Sequence, residues 1–579
     1  MDAASDTLAG IVAASDGSAP ALVGTAGTLS YAELLATVRS VSTWLVDSGV
    51  APGARVAIVQ RDGPWAALML LGVSYAHAAA PLNPNLSAED YAFITSDFGV
   101  AVVVAETGVV DEARLAGIAA PVLPFTAWSF RPTAEGAPAA ATPEAPAFLL
   151  HTSGTTARPK KVVLTQGRIA RSARVIAGAL RLGASDRCLT GMPMFHVHGI
   201  LNALASTLAS GGSFVHAGPF DTLAFYGNLR KFRPTWMTAV PTMYHAIAGR
   251  PELVPPDHQV RFIRSSSAPM SDVLCERLED LFGVAVLSSY GMTEIDPIAC
   301  VPFGEKQPLG AVGRPSGVDV RLVGADGRDI ARDDDLGSMG EVWVRGPRVI
   351  PAYEASDEVN AAAFADGWFK TGDLGRWDAE GWLHLSGRSK EIINRGGEKV
   401  APLEIDAVLL RHPDVVEAAA FGTPDAARGE EIAAAVVLRP EATLTEDGLR
   451  AWLAERLAFH KCPRHLQFVP ALPKGPTGKL LRNALRLASP TDASTDGTTR
   501  DDDTLVALVR SVWVEILELP DVAPTDRFMD IGGSSYSAME ILVLLSERLD
   551  RTLPIDVLLD GDTPVALAAA IRRYTEARP

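Results

Sequence analysis

The run Thr152-Ser153-Gly154-Thr155-Thr156-Ala157-Arg158-Pro159-Lys160 constrains this chain more than any other. It sets four hydroxyls, a glycine and two cations into nine residues. Ala147-Phe148-Leu149-Leu150 before it and Val162-Val163-Leu164 after it read as short buried strands. A loop of this composition between two strands suits a polyphosphate, because backbone N–H and hydroxyl groups donate to phosphate oxygens and Gly154 permits close approach. The competing reading is a polar turn closed by Pro159, but ordinary turns rarely need four hydroxyls. It is not a P-loop, which requires G-x-x-x-x-G-K-[ST] opening a helix. The nearest approach to one, Gly475-Pro476-Thr477-Gly478-Lys479-Leu480, has short glycine spacing and a leucine where a Mg²⁺-binding hydroxyl belongs.

A chain of 579 residues, 47% of them apolar, predicts several domains with large cores. Cys188, Cys275, Cys300 and Cys462 are scattered and form no C-x-x-C pair, which points to a reduced, cytoplasmic setting without structural zinc or disulfides. The N-terminus has no basic n-region. The most apolar run, Ala66 to Leu82, is interrupted by Ser74 and His77 and reads as a buried helix rather than a membrane span. A net charge of −17 argues against nucleic acid as a partner. From Asp501 to Pro579 there are 15 Asp and Glu against 7 Lys and Arg, a net −8, which marks a separate acidic module.

The loop resembles the phosphate loop of the acyl-adenylate-forming superfamily, which includes acyl-CoA ligases, luciferases and the adenylation domains of nonribosomal peptide synthetases. That family usually reads T-S-G-T-T-G-x-P-K-G, and here Ala157 and Lys161 replace two glycines. Further stretches follow in the family's order: Pro193-Met194-Phe195-His196-Val197-His198-Gly199, Ser265-Ser266-Ser267-Ala268-Pro269, Tyr290-Gly291-Met292-Thr293-Glu294, Lys370-Thr371-Gly372-Asp373, Gly387-Arg388-Ser389-Lys390-Glu391 and Pro476-Thr477-Gly478-Lys479. The segments around His196 and Asn394-Arg395-Gly396-Gly397 look closest to ligases of small or dicarboxylic acids, the oxalate type.

The tail reads as a second module. Residues 486–502 are small, polar and acidic, as in a flexible linker. Leu505, Leu508, Val509, Val512 and Ile516 then recur at helical spacing. A second helix starts near Ser535, and Val565 to Ile571 supplies a third. Serine at a helix start is commonly an N-cap. The segment Asp530-Ile531-Gly532-Gly533-Ser534-Ser535 also resembles acyl and peptidyl carrier proteins, which attach 4′-phosphopantetheine to such a serine.

The resemblance implies ATP and Mg²⁺ as further requirements, and a role for each matching residue. Thr152, Ser153, Gly154, Thr155, Thr156 and Lys160 hold the phosphates, and Glu294 binds Mg²⁺. Ser267, Ala268, Tyr290, Gly291 and Thr293 surround the nucleotide; Asp373 and Arg388 hold the ribose. Lys479 bridges the substrate carboxylate and the α-phosphate, His196 lies near the acid, and Lys390 is the hinge. His198, Ser265 and Asp296 are assigned to the acid pocket. The pair His196/His198 has zinc-ligand spacing but no supporting cluster. The His196 segment contains no acid to bind an α-ammonium, which favours an acid without an amino group. Asp296 is expected to repel a second carboxylate and to favour a distal cationic or hydrogen-bonding group.

The expected architecture is a large α/β domain of sheets sandwiched by helices (1–387), a mobile α+β lid (391–485), a linker (486–502) and an all-α carrier bundle (503–579). The implied activity is AMP-forming activation of a small carboxylic acid and thioester formation on the chain's own carrier. Its partners are a phosphopantetheinyl transferase and a downstream transferase, ketosynthase or condensation enzyme. Transfer to free CoA, with the tail serving only docking, remains the alternative; a non-catalytic scaffold has only Ala157 and Lys161 in its favour.

Overall fold

The computed structural model describes residues 6–576 apart from 26, 127–135, 153–158, 217, 333–337, 426–427, 441, 475–479, 489–501, 518, 520, 529–530, 532–534, 550, 552, 554–556 and 558–560; side chains are not described at 64, 487–488, 502–504, 535–536, 539, 543, 547 and 575–576. The described chain forms two compact units, which meet in sequence between Leu385 and Ser386.

The first unit is α/β, built on two sheets. In the smaller, strands Val122–Phe125, Val102–Glu106, Arg55–Val59, Ala78–Leu82 and Pro146–His151 lie parallel, and Lys161–Thr165 closes one edge antiparallel. Parallel strands buried on both faces are read as continuous apolar runs, and Ala78–Leu82 is buried throughout. The run Ala66 to Leu82 is therefore not one helix: helix Pro64–Ser74 ends, and a strand begins at Ala78. Pro146–His151 and Lys161–Thr165 pair as a hairpin with Leu149 opposite Val163 and His151 opposite Lys161, so the hydroxyl-rich loop is a hairpin connection.

In the larger sheet, Ser213–His216, Arg187–Thr190, Trp236–Ala239, Phe262–Ser265 and Ala285–Met292 run parallel. The sheet then turns antiparallel through the hairpin Ala285–Met292/Ile295–Cys300. Three of the expected motifs leave the carboxyl ends of these strands: the His196 segment, Ser265–Ala268 and Tyr290–Glu294. That edge is where open α/β sheets bind ligands.

The second unit begins with an α+β part. Strands Glu398–Val400, Ile393–Arg395, Gly429–Leu438 and Val415–Asp425 form its sheet, with His465–Phe468 beside Gly429–Leu438. Helices Pro402–Leu409 and Glu446–Ala454 contribute Ile405, Leu409, Leu449 and Leu453 to its core. Helix Arg482–Ala488 covers residues 486–488, which composition assigns to the linker. Leu485 and Arg482 explain the extension: Leu485 is buried in an apolar cluster, and Arg482 pairs with Asp406 and, at 3.4 Å, with Glu391. The all-α part follows, with helices Asp502–Leu517, Ser535–Arg548 and Pro564–Glu576 around Val509, Val512, Trp513, Ile541, Leu545, Leu567 and Ile571. All four cysteines are free thiols; Cys188, Cys300 and Cys462 are buried. Among the described residues no helix is long and apolar enough to cross a membrane.

Candidate functional site

Thr152 and Lys160 form the neck of the hydroxyl-rich loop. Thr152 N–H donates to the Lys160 carbonyl at 3.0 Å, and Lys160 N–H donates to Thr152 Oγ1 at 3.3 Å. Ser153, Gly154, Thr155 and Thr156 lie outside the described residues, as does Lys479. Lys161, which replaces one of the family's glycines, reaches Asp97 of helix Ala88–Phe98 and Glu354, both at 3.8 Å, so its charge is answered by neighbouring carboxylates.

Glu294 sits at the turn of the hairpin that follows Ala285–Met292 and is 4% exposed. The phenol of Tyr353, itself buried, donates to Glu294 Oε1 at 2.5 Å. The Lys160 ammonium lies 4.5 Å from the centre of the same ring. One aromatic thus links the loop neck to the carboxylate. Tyr353 falls between the expected motifs, and only its position before Glu354 in a short irregular stretch marks it in the sequence. Among the described residues no group of three or more His, Cys, Asp or Glu could hold a metal ion. A Mg²⁺ held by one carboxylate together with phosphate oxygens and water needs no such group, and Glu294 fits that pattern.

Tyr290 OH donates to Asp373 Oδ2 at 2.7 Å, joining two residues 83 positions apart in sequence. Asp373 is buried in strand Trp368–Trp377, and its N–H donates to Thr371 Oγ1 at 3.1 Å. Gly372, at φ 73°, occupies the left-handed region that favours glycine. Arg388 ends strand Leu383–Arg388, and Lys390 lies exposed in the turn that follows. Thr293 and Ala268 are half-buried.

The expected acid pocket is a buried polar cluster. The ring of His198 is engaged at both nitrogens, Nδ1 with Ser267 Oγ at 2.9 Å and Nε2 with Thr238 Oγ1 at 2.7 Å. Ser267 holds φ at +73°, a strained value for a side-chain-bearing residue. His196 differs: among the described residues its buried Nε2 has no hydrogen-bond partner, and burial lowers its pKa to about 4, so the ring is neutral at neutral pH. The Ser265 hydroxyl is likewise buried with no partner among the described residues. The His198–Ala205 segment is π-helical, a wide turn common at functional sites. Gly199 precedes its second turn, where a Cβ would stand 2.4 Å from the Pro193 carbonyl oxygen.

Asp296 does not stand as an isolated negative charge. Asn202 Nδ2 donates to its Oδ2 at 2.8 Å, and Arg264 Nη2 donates to Asn202 Oδ1 at 3.1 Å and to Ser289 Oγ at 2.9 Å. Arg348 Nη1 donates to the Asp296 carbonyl at 3.1 Å. Burial pushes the Asp296 carboxyl up, and the Arg264 guanidinium opposes it. Two buried guanidiniums thus accompany one carboxylate, which removes the basis for expecting Asp296 to repel a second carboxylate. Arg264 and Asn202 escaped the sequence reading; the available signal for Arg264 was a charged residue directly after the apolar pair Phe262-Ile263. Gly291 packs against this cluster so closely that a Cβ would meet Asp296 Cγ at 2.6 Å.

In the all-α part, the backbone of helix Ser535–Arg548 begins at Ser535 itself. A serine at the positive end of a 14-residue helix is a chemically suitable acceptor for a phosphodiester.

Residues 11–354 match the family described as AMP-binding enzyme, 404–479 its C-terminal domain, and 507–571 the phosphopantetheine attachment site. The chain belongs to the AMP-binding enzyme family and carries a C-terminal phosphopantetheine attachment domain. It is 38% identical to an oxalate–CoA ligase of Arabidopsis thaliana over 77% of this chain and 90% of that protein. It is 35% identical to a sulfoacetate–CoA ligase of Cupriavidus necator over 78% of this chain and 91% of the other. Among solved structures, ATP-bound MatB from Rhodopseudomonas palustris superposes with a TM-score of 0.77 at 29% identity, covering 83% of this chain and 98% of that one. The O-succinylbenzoate–CoA synthetase of Bacillus subtilis, bound to ATP and magnesium, gives 0.73 at 28% identity, with 83% and 99% covered. The chain is an AMP-forming acid–thiol ligase with a mixed α/β fold and a helical carrier region.

Proposed function

We propose that this enzyme activates a small carboxylic acid as its acyl-AMP and loads it as a thioester on the phosphopantetheine arm of Ser535 in its own carrier domain, within a biosynthetic assembly line. The observation that carries this reading is the presence of both an AMP-binding domain and a phosphopantetheine attachment domain in one chain. In the first step the acid's carboxylate attacks the α-phosphate of ATP and pyrophosphate departs. Positioning and charge stabilisation do most of such work.

Thr152, Ser153, Gly154, Thr155, Thr156 and Lys160 hold the departing phosphates in this reading, and Lys479 spans the carboxylate and the α-phosphate. Asp373, oriented by the Tyr290 phenol at 2.7 Å, accepts from the ribose hydroxyls, and Arg388 assists. Ser267, Ala268, Gly291 and Thr293 border the nucleotide. Glu294, steadied by Tyr353, is the protein's ligand for Mg²⁺, which when bound offsets phosphate charge. His196, kept neutral by burial, sits beside the acid without attracting its carboxylate as a counter-ion. Lys390 is the hinge for the lid. The arm, once attached, supplies the accepting thiol, and AMP leaves.

The guanidiniums of Arg264 and Arg348 beside Asp296 support a short acid whose second group is polar or anionic, in keeping with the oxalate and sulfoacetate named for the relatives. Those same relatives, named CoA ligases, favour a second reading in which free CoA accepts the acyl group. Intact-protein mass spectrometry separates the two. Phosphopantetheinylated protein incubated with ATP, Mg²⁺ and a panel of short acids is expected to gain an acyl mass that thiol removes and Ser535→Ala abolishes. Acid-dependent AMP release onto CoA, with no mass gain on the protein, would establish the second reading instead.

A further inference from the structure

A chain of charges runs from the lid into the carrier. Arg395 ends strand Ile393–Arg395, and its Nη2 donates to Glu431 Oε2 at 3.1 Å. Glu431 is 1% exposed. Its Oε2 also takes Arg428 Nη1 at 2.7 Å, and Arg428 Nη2 then reaches Asp562 Oδ2 of the carrier at 3.3 Å. Asp562 is fixed in turn, its carboxylate 3.6 Å from Arg527 and its carbonyl accepting Phe528 N–H at 2.9 Å. Both partners are mostly shielded from water, with side chains 17% and 14% exposed. Phe459 packs against the apolar core of the lid and that of the carrier alike. His460 next to it accepts from Arg395 through its carbonyl at 3.1 Å.

We propose that Arg428 and Asp562, with Phe459, form an intramolecular dock that keeps the carrier on the lid while Ser535 is loaded. An exposed ion pair between two long, mobile side chains contributes little. Here each charge is held in place by its own domain before they meet, so little side-chain freedom is lost on pairing. The dock also adjoins the Arg395-Gly396-Gly397 turn, since Gly396 N–H donates to the Arg428 carbonyl at 2.9 Å. A carrier seated there is coupled directly to that glycine turn of the lid. The acidic character of the carrier gives the encounter its direction, and Asp562 gives it its register.

The proposal rests on self-loading, so two readouts are needed. In full-length phosphopantetheinylated protein, Asp562→Asn and Arg428→Gln are each expected to slow Ser535 loading about fivefold. The double variant is expected to be no slower than the slower single one, and acid-dependent pyrophosphate exchange is expected to stay unchanged. Wild-type loading rates in Asp562→Asn, or a double variant whose loss is the product of the singles, would overturn the dock. If the wild type acylates only free CoA, the functional reading fails while the dock is still judged by hydrogen exchange. Amides of residues 456–462 should then exchange faster in Asp562→Lys than in the wild type; equal exchange would refute the contact.

Discussion

Tyr353 is the residue that most sharpens the proposed chemistry. Its phenol orients Glu294, and its ring lies against the Lys160 ammonium. A carboxylate that loses such a donor loses orientation, not charge. Tyr353→Phe is therefore expected to raise the Mg²⁺ concentration for half-maximal pyrophosphate exchange several-fold and to lower the rate about tenfold, with the thermal midpoint little changed. A matching loss of stability and an unchanged Mg²⁺ requirement would reduce Tyr353 to a packing residue. The motifs named Glu294, Asp373 and Tyr290, because each stands in a short string of unusual composition. Tyr353, Asn202 and Arg264 were not legible, because their partners lie 59, 94 and 25 positions away in sequence and no local pattern announces such a meeting.

At the scale of elements, the π-helical segment His198–Ala205 shows why glycine stands at its first turn. Gly199→Ala would press a methyl into the Pro193 carbonyl, 2.4 Å away, in a segment buried throughout. Overpacking at such a site costs typically 1–3 kcal/mol. Gly199→Ala is accordingly expected to lower the urea midpoint and to weaken acid binding more than ATP binding, because Pro193 leads directly to His196. Element boundaries were the least legible part of the sequence. Ala66 to Leu82 looked like one helix because helices and parallel strands buried on all sides are both simply apolar, and only pairing with Arg55–Val59 separates them. Residues 486–488 looked like linker because the run 486–502 that they open is mostly small and polar without periodicity, while the anchor that keeps them helical, Arg482 against Asp406, lies upstream. The two strands that flank the hydroxyl-rich loop and the three carrier helices were legible, since short apolar runs and helical spacing are local signals.

For the whole molecule, the decisive quantity is the concentration at which the carrier meets the enzyme it is joined to. Inserting about 30 Gly/Ser residues after Ala488 is expected to lower that concentration about sixfold if the tether alone sets it. A dock at Arg428 and Asp562 opposes this dilution, so the insertion should slow loading more in Asp562→Asn than in the wild type. Equal slowing in both would assign cis loading to the tether alone. The arrangement of the cysteines bears on how such experiments are read. Cys188, Cys300 and Cys462 are buried, and burial pushes the Cys275 thiol up to about 12. The unmodified polypeptide is thus poor in thiolate at neutral pH and nearly silent toward electrophilic dyes. Any fast-reacting sulfhydryl that appears after modification of Ser535 belongs to the arm, and its disappearance on adding ATP and the right acid becomes a direct optical assay of occupancy.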